Sequence, residues 1–113
     1  EKDSPKMAYK SMIYMLQSKE SWNPFKKYSY FNKGKVILED VIESNKNNLE
    51  LRFLRLCIQI NIPKFLNYDH MNEDIRFIRK KIFSISDLDL KQRIILFFKE
   101  HQIQISSNNS SSL

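Results

Sequence analysis

Residues 49–60, LELRFLRLCIQI, constrain the fold of this chain more than any other stretch. Leu51, Phe53, Leu54, Leu56, Cys57, Ile58 and Ile60 cover most of a helical circumference, and Arg52, Arg55 and Gln59 interrupt them. Those three fall at i, i+3 and i+7, on one narrow line along a single face. A helix apolar nearly all round is enclosed by other elements rather than laid on a surface. The segment therefore reads as the central helix of a small all-α domain.

One glycine and three prolines are too few for a turn-rich sandwich or barrel, where many corners need special backbone angles. With 113 residues, 42% of them hydrophobic, the chain has material for one domain around a single core. Residues 1–105 are assigned to it. Residues 106–113, SSNNSSSL, are polar and low in complexity, as in a disordered tail.

In chain order, Ser4-Pro5 is a cap followed by a first-turn proline, opening a helix to about Glu20. Its apolar stripe is Ala8, Met12, Met15 and Leu16; Met7, Met12 and Met15 suit gap-filling or an adaptable docking face. Asn23-Pro24 repeats the signal, with Trp22 expected to staple the turn, and starts a second helix to about Ser44. Tyr28, Phe31, Gly34, Leu38, Val41 and Ile42 share its inner face. Gly34 costs about 1 kcal/mol in a helix, which points to a close approach by another helix.

The turn at 45–48, NKNN, makes an antiparallel hairpin of the second and third helices. Pro63 ends the third near residues 61–62. A short turn carrying Phe65, Leu66 and Tyr68 follows, then a fourth helix capped by Asp69 with Met71, Ile75, Ile78 and Ile82 inward. Ser86, with Asp89 three residues on, caps a fifth helix burying Leu90, Ile94, Phe97 and Phe98 and fading near His101.

The segment FNKGKVILEDVIESNKNN resembles the second helix of a tetratricopeptide repeat and its turn. Gly34 matches that family's small position, Leu38 its large apolar one and Val41 its second small one. The third helix resembles the first helix of a following repeat, with Phe53 at the aromatic position, then Leu56, and Cys57 at the small one. The likeness covers about one repeat length. It implies a tetratricopeptide-like domain of about five helices and a non-enzymatic protein-interaction role. It also implies a groove in which Arg52, Arg55 and Gln59 meet a peptide or its carboxylate. On that reading, Arg52→Ala and Arg55→Ala abolish binding and spare the melt. The alternative pairs the arginines internally with Glu39, Asp40 or Glu43.

A net charge of +6 and a pI near 9.5 raise a second class of function, nucleic-acid binding. Its residues are Arg76, Arg79, Lys80 and Lys81, with Lys26 and Lys27, and Tyr28 or Tyr30 for stacking. Acid-first, base-last order in the fourth helix also serves the helix dipole. A structural subunit of a larger assembly fits the same sequence.

Catalysis is not indicated. His70 and His101 lack metal-ligand spacing, one glycine excludes phosphate loops, and no GxSxG occurs. Glu39/Asp40 and Glu73/Asp74 read as solvated faces. Cys57, the one cysteine, reads as a buried, inert thiol. No cofactor or metal is expected, and no run approaches a membrane span. The opening EKDSP lacks both Met and an apolar leader. It reads as an exported or periplasmic protein after signal removal, or as a piece of a cytoplasmic one, with the lean toward export.

Overall fold

Residues that cap or break a backbone set the helix boundaries. The structure, a computed structural model describing residues 4–20 and 23–106, has five helices in order. These are α1, Ser4–Glu20; α2, Pro24–Ser44; α3, Leu49–Asn61; α4, Met71–Lys81; and α5, Leu88–Glu100. The 3₁₀ turns Lys64–Leu66 and Ile82–Ser84 flank α4, and no strand occurs among the described residues. The all-α expectation holds. The Ser4 cap contact, the Trp22 staple and the tail from residue 107 lie outside the described residues and side chains.

Asn48 caps α3, its side chain accepting from the Leu51 N–H at 3.1 Å. Ile62 is extended before Pro63, as a residue preceding proline tends to be. Asn67, in the left-handed region at φ 58°, turns the chain toward α4. Two helix starts differ from expectation. Asp69 caps nothing; His70 takes the N-cap of α4 without a side-chain bond. For α5 the cap is Asp87, whose Oδ1 accepts from the Leu90 N–H at 3.0 Å. Ser86 and Asp87 are both competent caps, and register against the core decides between them.

α1 and α2 lie side by side. A Cβ on Gly34 would stand 2.4 Å from the Ser11 carbonyl oxygen and 2.8 Å from Met15 Cγ, so only glycine permits this approach. The expected helix contact at Gly34 is thus present, with α1 as the neighbour. Ser11 is fully buried there, and its hydroxyl donates to the Ala8 carbonyl at 2.8 Å.

The core is not single, as composition had suggested, but divided by α3. On one side Ala8, Met15, Phe31, Leu38, Val41, Ile42, Leu51, Leu66 and Tyr68 pack together. On the other, Leu49 and Leu56 of α3 join Ile78, Ile82, Leu90, Ile94 and Phe98. Helix α3 feeds both clusters, as its all-round apolarity requires, and its polar line supplies the partition. Tyr28, expected on the inner face of α2, is exposed. Ten residues before Leu38, it stands about 80° round the helix from it, at the edge of the buried face.

Candidate functional site

The line Arg52, Arg55, Gln59 faces α4. Arg55, 2% exposed, forks onto Asp74: its Nε donates to Oδ2 at 2.8 Å and its Nη2 to Oδ1 at 2.6 Å. Its Nη1 donates to both oxygens of Glu39, each at 2.8 Å. Gln59 Nε2 donates to Asp74 Oδ2 at 2.9 Å and to the Arg55 carbonyl at 3.1 Å. Its Oε1 accepts from the His70 backbone N–H. Tyr68 closes the set, its hydroxyl donating to Glu39 Oε2 at 2.5 Å. One network thereby ties α2, α3, the segment before α4, and α4.

Burial works against the Arg55 charge, but the bonds to Asp74 and Glu39 outweigh it and hold the guanidinium above its usual pKa. Burial, and then Glu39, push the Tyr68 hydroxyl well up, so it stays a donor. At the margin, His70 Nδ1 lies 3.1 Å from Glu73. That bond first, then the charges of Arg55, His70 and Arg52, hold Glu73 below the usual carboxylate range against a partial burial penalty. Arg52 lies flatter, 4.5 Å over the Phe77 ring. It pairs with Glu73 at 3.3 Å and donates to the Lys46 carbonyl at 3.3 Å.

These side chains are paired internally, although Arg52 meets Glu73 of α4 and none of the partners that the internal alternative named. Arg55 meets Glu39 as that alternative required, while Asp40 and Glu43 stay exposed. Every nitrogen of the Arg55 guanidinium already donates, leaving no free fork for an incoming carboxylate. Asp74, expected on a solvated face, is fully buried and is the hub. Adjacent helical residues point about 100° apart, so Glu73 faces water while Asp74 faces α3. Its spacing carried a signal: Asp74, Ile78 and Ile82 recur at i, i+4 and i+8, which sets Asp74 beside the buried stripe.

The basic residues do not act as one face. Arg76 and Lys80 are exposed. Arg79 Nε instead donates to the Gln104 carbonyl at 2.7 Å, strapping the segment after α5 to α4, and Lys81 lies 5.8 Å from the Phe77 ring. At the start of α2, Lys26 is exposed and Lys27 half-buried.

A concavity lies elsewhere, and sequence reasoning did not find it. Helices α1, α3 and α5 enclose a groove of about 510 Å³. Pro5, Ala8, Tyr9 and Met12 form one wall, Leu51, Phe53, Leu54 and Cys57 the floor, and Arg93 of α5 the far side. The expected α1 stripe is split. Ala8 and Met15 turn toward α2, but Leu16 is 53% exposed, with Tyr9 at 68% and Ile13 at 48%. Helix α1 thus carries a second apolar arc, with Tyr9, Ile13 and Leu16 at i, i+4 and i+7, outside its contact with α2. Burial pushes the Cys57 thiol up to about 11, so at neutral pH it is a weak nucleophile although it is only half-buried.

Among the described residues no group of three or more His, Cys, Asp or Glu is placed to hold a metal ion. No helix among them is long and apolar enough to cross a membrane. Fold and groove define an all-α protein of helical hairpins with an open apolar channel along one side. The chain matches no family model, none of the curated proteins and no solved structure at a significant level.

Proposed function

We propose that this protein is a non-enzymatic protein-interaction module, an accessory subunit of a larger assembly, which binds a partner in the groove between α1, α3 and α5. The observation that carries this is the open apolar arc of α1. Its Tyr9 lines the groove, Ile13 and Leu16 continue the apolar surface beyond the groove lining, and such surface gains free energy only when covered, at about 25 cal/mol per Å². The odd-numbered helices line the groove, as first helices do in the tetratricopeptide-like arrangement, which we propose for the two hairpins α1–α2 and α3–α4. Arg52, Arg55 and Gln59 then act from beneath, holding α3 in place as its floor.

The test is affinity capture from the source organism with three baits: the native chain, Tyr9→Asp, and Arg76→Ala/Lys80→Ala. A discrete protein retained by the first and third but lost by the second, through nuclease treatment and moderate salt, supports the groove. Retention of nucleic acid alone, released steeply as salt rises and lost from the third bait, transfers the function to Arg76 and Lys80 of α4.

A further inference from the structure

We propose that the outer face of α2 joins two copies of this chain in a symmetric dimer centred on Val36. The observation is a surface whose charge reverses along one helix. On α2, Asn32, Lys33, Val36, Asp40 and Glu43 are all exposed, and Val36, 61% exposed, is the apolar side chain among them. Two shallow concavities meet at Val36 and share it with Asn32 and Ile37. One, about 320 Å³, takes its charged lining among the described residues from Lys10 and Lys33. The other, about 580 Å³, is lined by Glu39, Asp40 and Glu43 against Lys35 alone. Some of these charges are engaged within the chain. Lys35 donates to the Asn67 carbonyl, and Glu39 belongs to the Arg55 network. Glu43 holds Lys46 at 3.3 Å on the open surface, and Lys33 lies 5.8 Å from the Tyr14 ring. Lys10 and Asp40 have no such partner among the described residues.

A reversal of sign about a central apolar residue suits a two-fold axis, because that axis matches a surface with itself turned end for end. Set α2 antiparallel to its copy, with Val36 against Val36. Lys33 then lies about 4.5 Å before the axis and Asp40 about 6 Å after it, from the rise of the helix. Lys33 of each copy faces Asp40 of the other, in two equivalent pairs. Lys10 strengthens the basic side and Glu43 the acidic one. Other occupants match half of the face. An acidic protein, a phosphate backbone or an anionic bilayer satisfies Lys10 and Lys33 but meets Asp40 and Glu43 with like charge. The chain itself supplies both signs in the required order. One helix face is a small contact, so the dimer forms and parts reversibly. The groove between α1, α3 and α5 shares no lining residue with this face, so the two readings stand or fall separately.

The experiment is sedimentation equilibrium of the full chain from low micromolar to submillimolar concentration. A monomer–dimer equilibrium is expected, its dissociation constant rising about tenfold from low to moderate salt. Lys33→Glu and Asp40→Lys, each alone, set like charges across the axis. Each is expected to weaken the dimer about tenfold or more, with the circular dichroism unchanged. Mixed in equal amounts, the two variants are expected to pair with each other, because both contacts across the axis are then of opposite sign. A folding defect in either variant could not produce that recovery. A chain that stays monomeric throughout overturns the inference. So does a dimer that both single reversals leave intact, or one that they weaken and mixing does not restore. A dimer lost with Tyr9→Asp alone overturns it in favour of the α1–α3–α5 groove. An oligonucleotide or phosphatidylglycerol vesicle bound through Lys33 without self-association overturns it in favour of an anionic partner.

Discussion

The two helical hairpins of this protein are joined in opposite ways. Between α1 and α2 the contact is apolar and close, made possible by Gly34 against the Ser11 carbonyl, while Lys33 and Lys35 beside it lie over the Tyr14 and Tyr68 rings and Lys35 also donates to the Asn67 carbonyl. Between α3 and α4 the contact is built on charge: Arg55 forks onto Asp74 in the interior, with Glu39, Gln59 and Tyr68 completing the bonds. From residue 39 onward, eleven basic residues face ten acidic ones, and several of those charges are spent internally. The hairpin that holds itself together with steric fit makes its closest helix contact without an ion pair. The hairpin that holds itself together with ions has few to spare.

The largest test of this contrast is at Arg55. Removing one partner of a buried ion network leaves the other uncompensated, so Arg55→Ala is expected to lose about 3–5 kcal/mol in urea unfolding. Arg55→Met with Asp74→Leu, which removes the charges on both sides of the fork, should recover part of that. An Arg55→Ala protein that melts like the native one would show the network to be incidental. This reverses the earlier expectation that the arginine is dispensable to the fold.

In the other hairpin, Gly34→Ala forces a Cβ into a backbone carbonyl. Overpacking of this kind costs about 1–3 kcal/mol, reduced by the better helix propensity of alanine. Near-native stability would mean that α1 shifts away from α2 at no cost, and that their fit is loose.

A smaller effect is expected with pH. Glu73 is lowered in the folded state by His70, then by the neighbouring cations. Its contribution to stability is therefore present above the usual carboxylate pKa and is lost as pH falls through the lowered folded value. Urea midpoints measured across acid pH should fall less steeply for Glu73→Gln. Because this side chain is half exposed, the difference is small.

The smallest change in stability is expected at the open arc. Ile13→Ser and Leu16→Ser should shift the unfolding free energy by no more than about 0.5 kcal/mol, as surface substitutions do. A large loss of stability would mean that the arc is packed within the fold.

Helix boundaries were legible because they depend on local chemistry. Pro24, Asn48 and Pro63 act on their own backbone, and the helices begin and end beside them. The place of α3 between two clusters was legible from its all-round apolarity, and the role of Gly34 from its position in an otherwise strong helix. The network hub was not. Whether Asp74 or Glu73 turns inward depends on the register of α4 against α3, a property of packing that spacing only hints at. The groove was hidden for a related reason. Ala8, Met12, Met15 and Leu16 form one continuous stripe on a helical wheel, and nothing in α1 itself states that α2 covers only part of it.

Helix α3 is a wall common to both clusters, and that has a consequence for how the molecule comes apart. Strip away α1 and α2, and Leu51 stands in water; strip away α4 and α5, and Leu49 and Leu56 do. Neither neighbour can leave without undermining the helix on which the other rests. The backbone amides of α3 should therefore exchange with deuterium only through global unfolding, the slowest in the molecule, while those of the outlying α1 exchange through smaller openings.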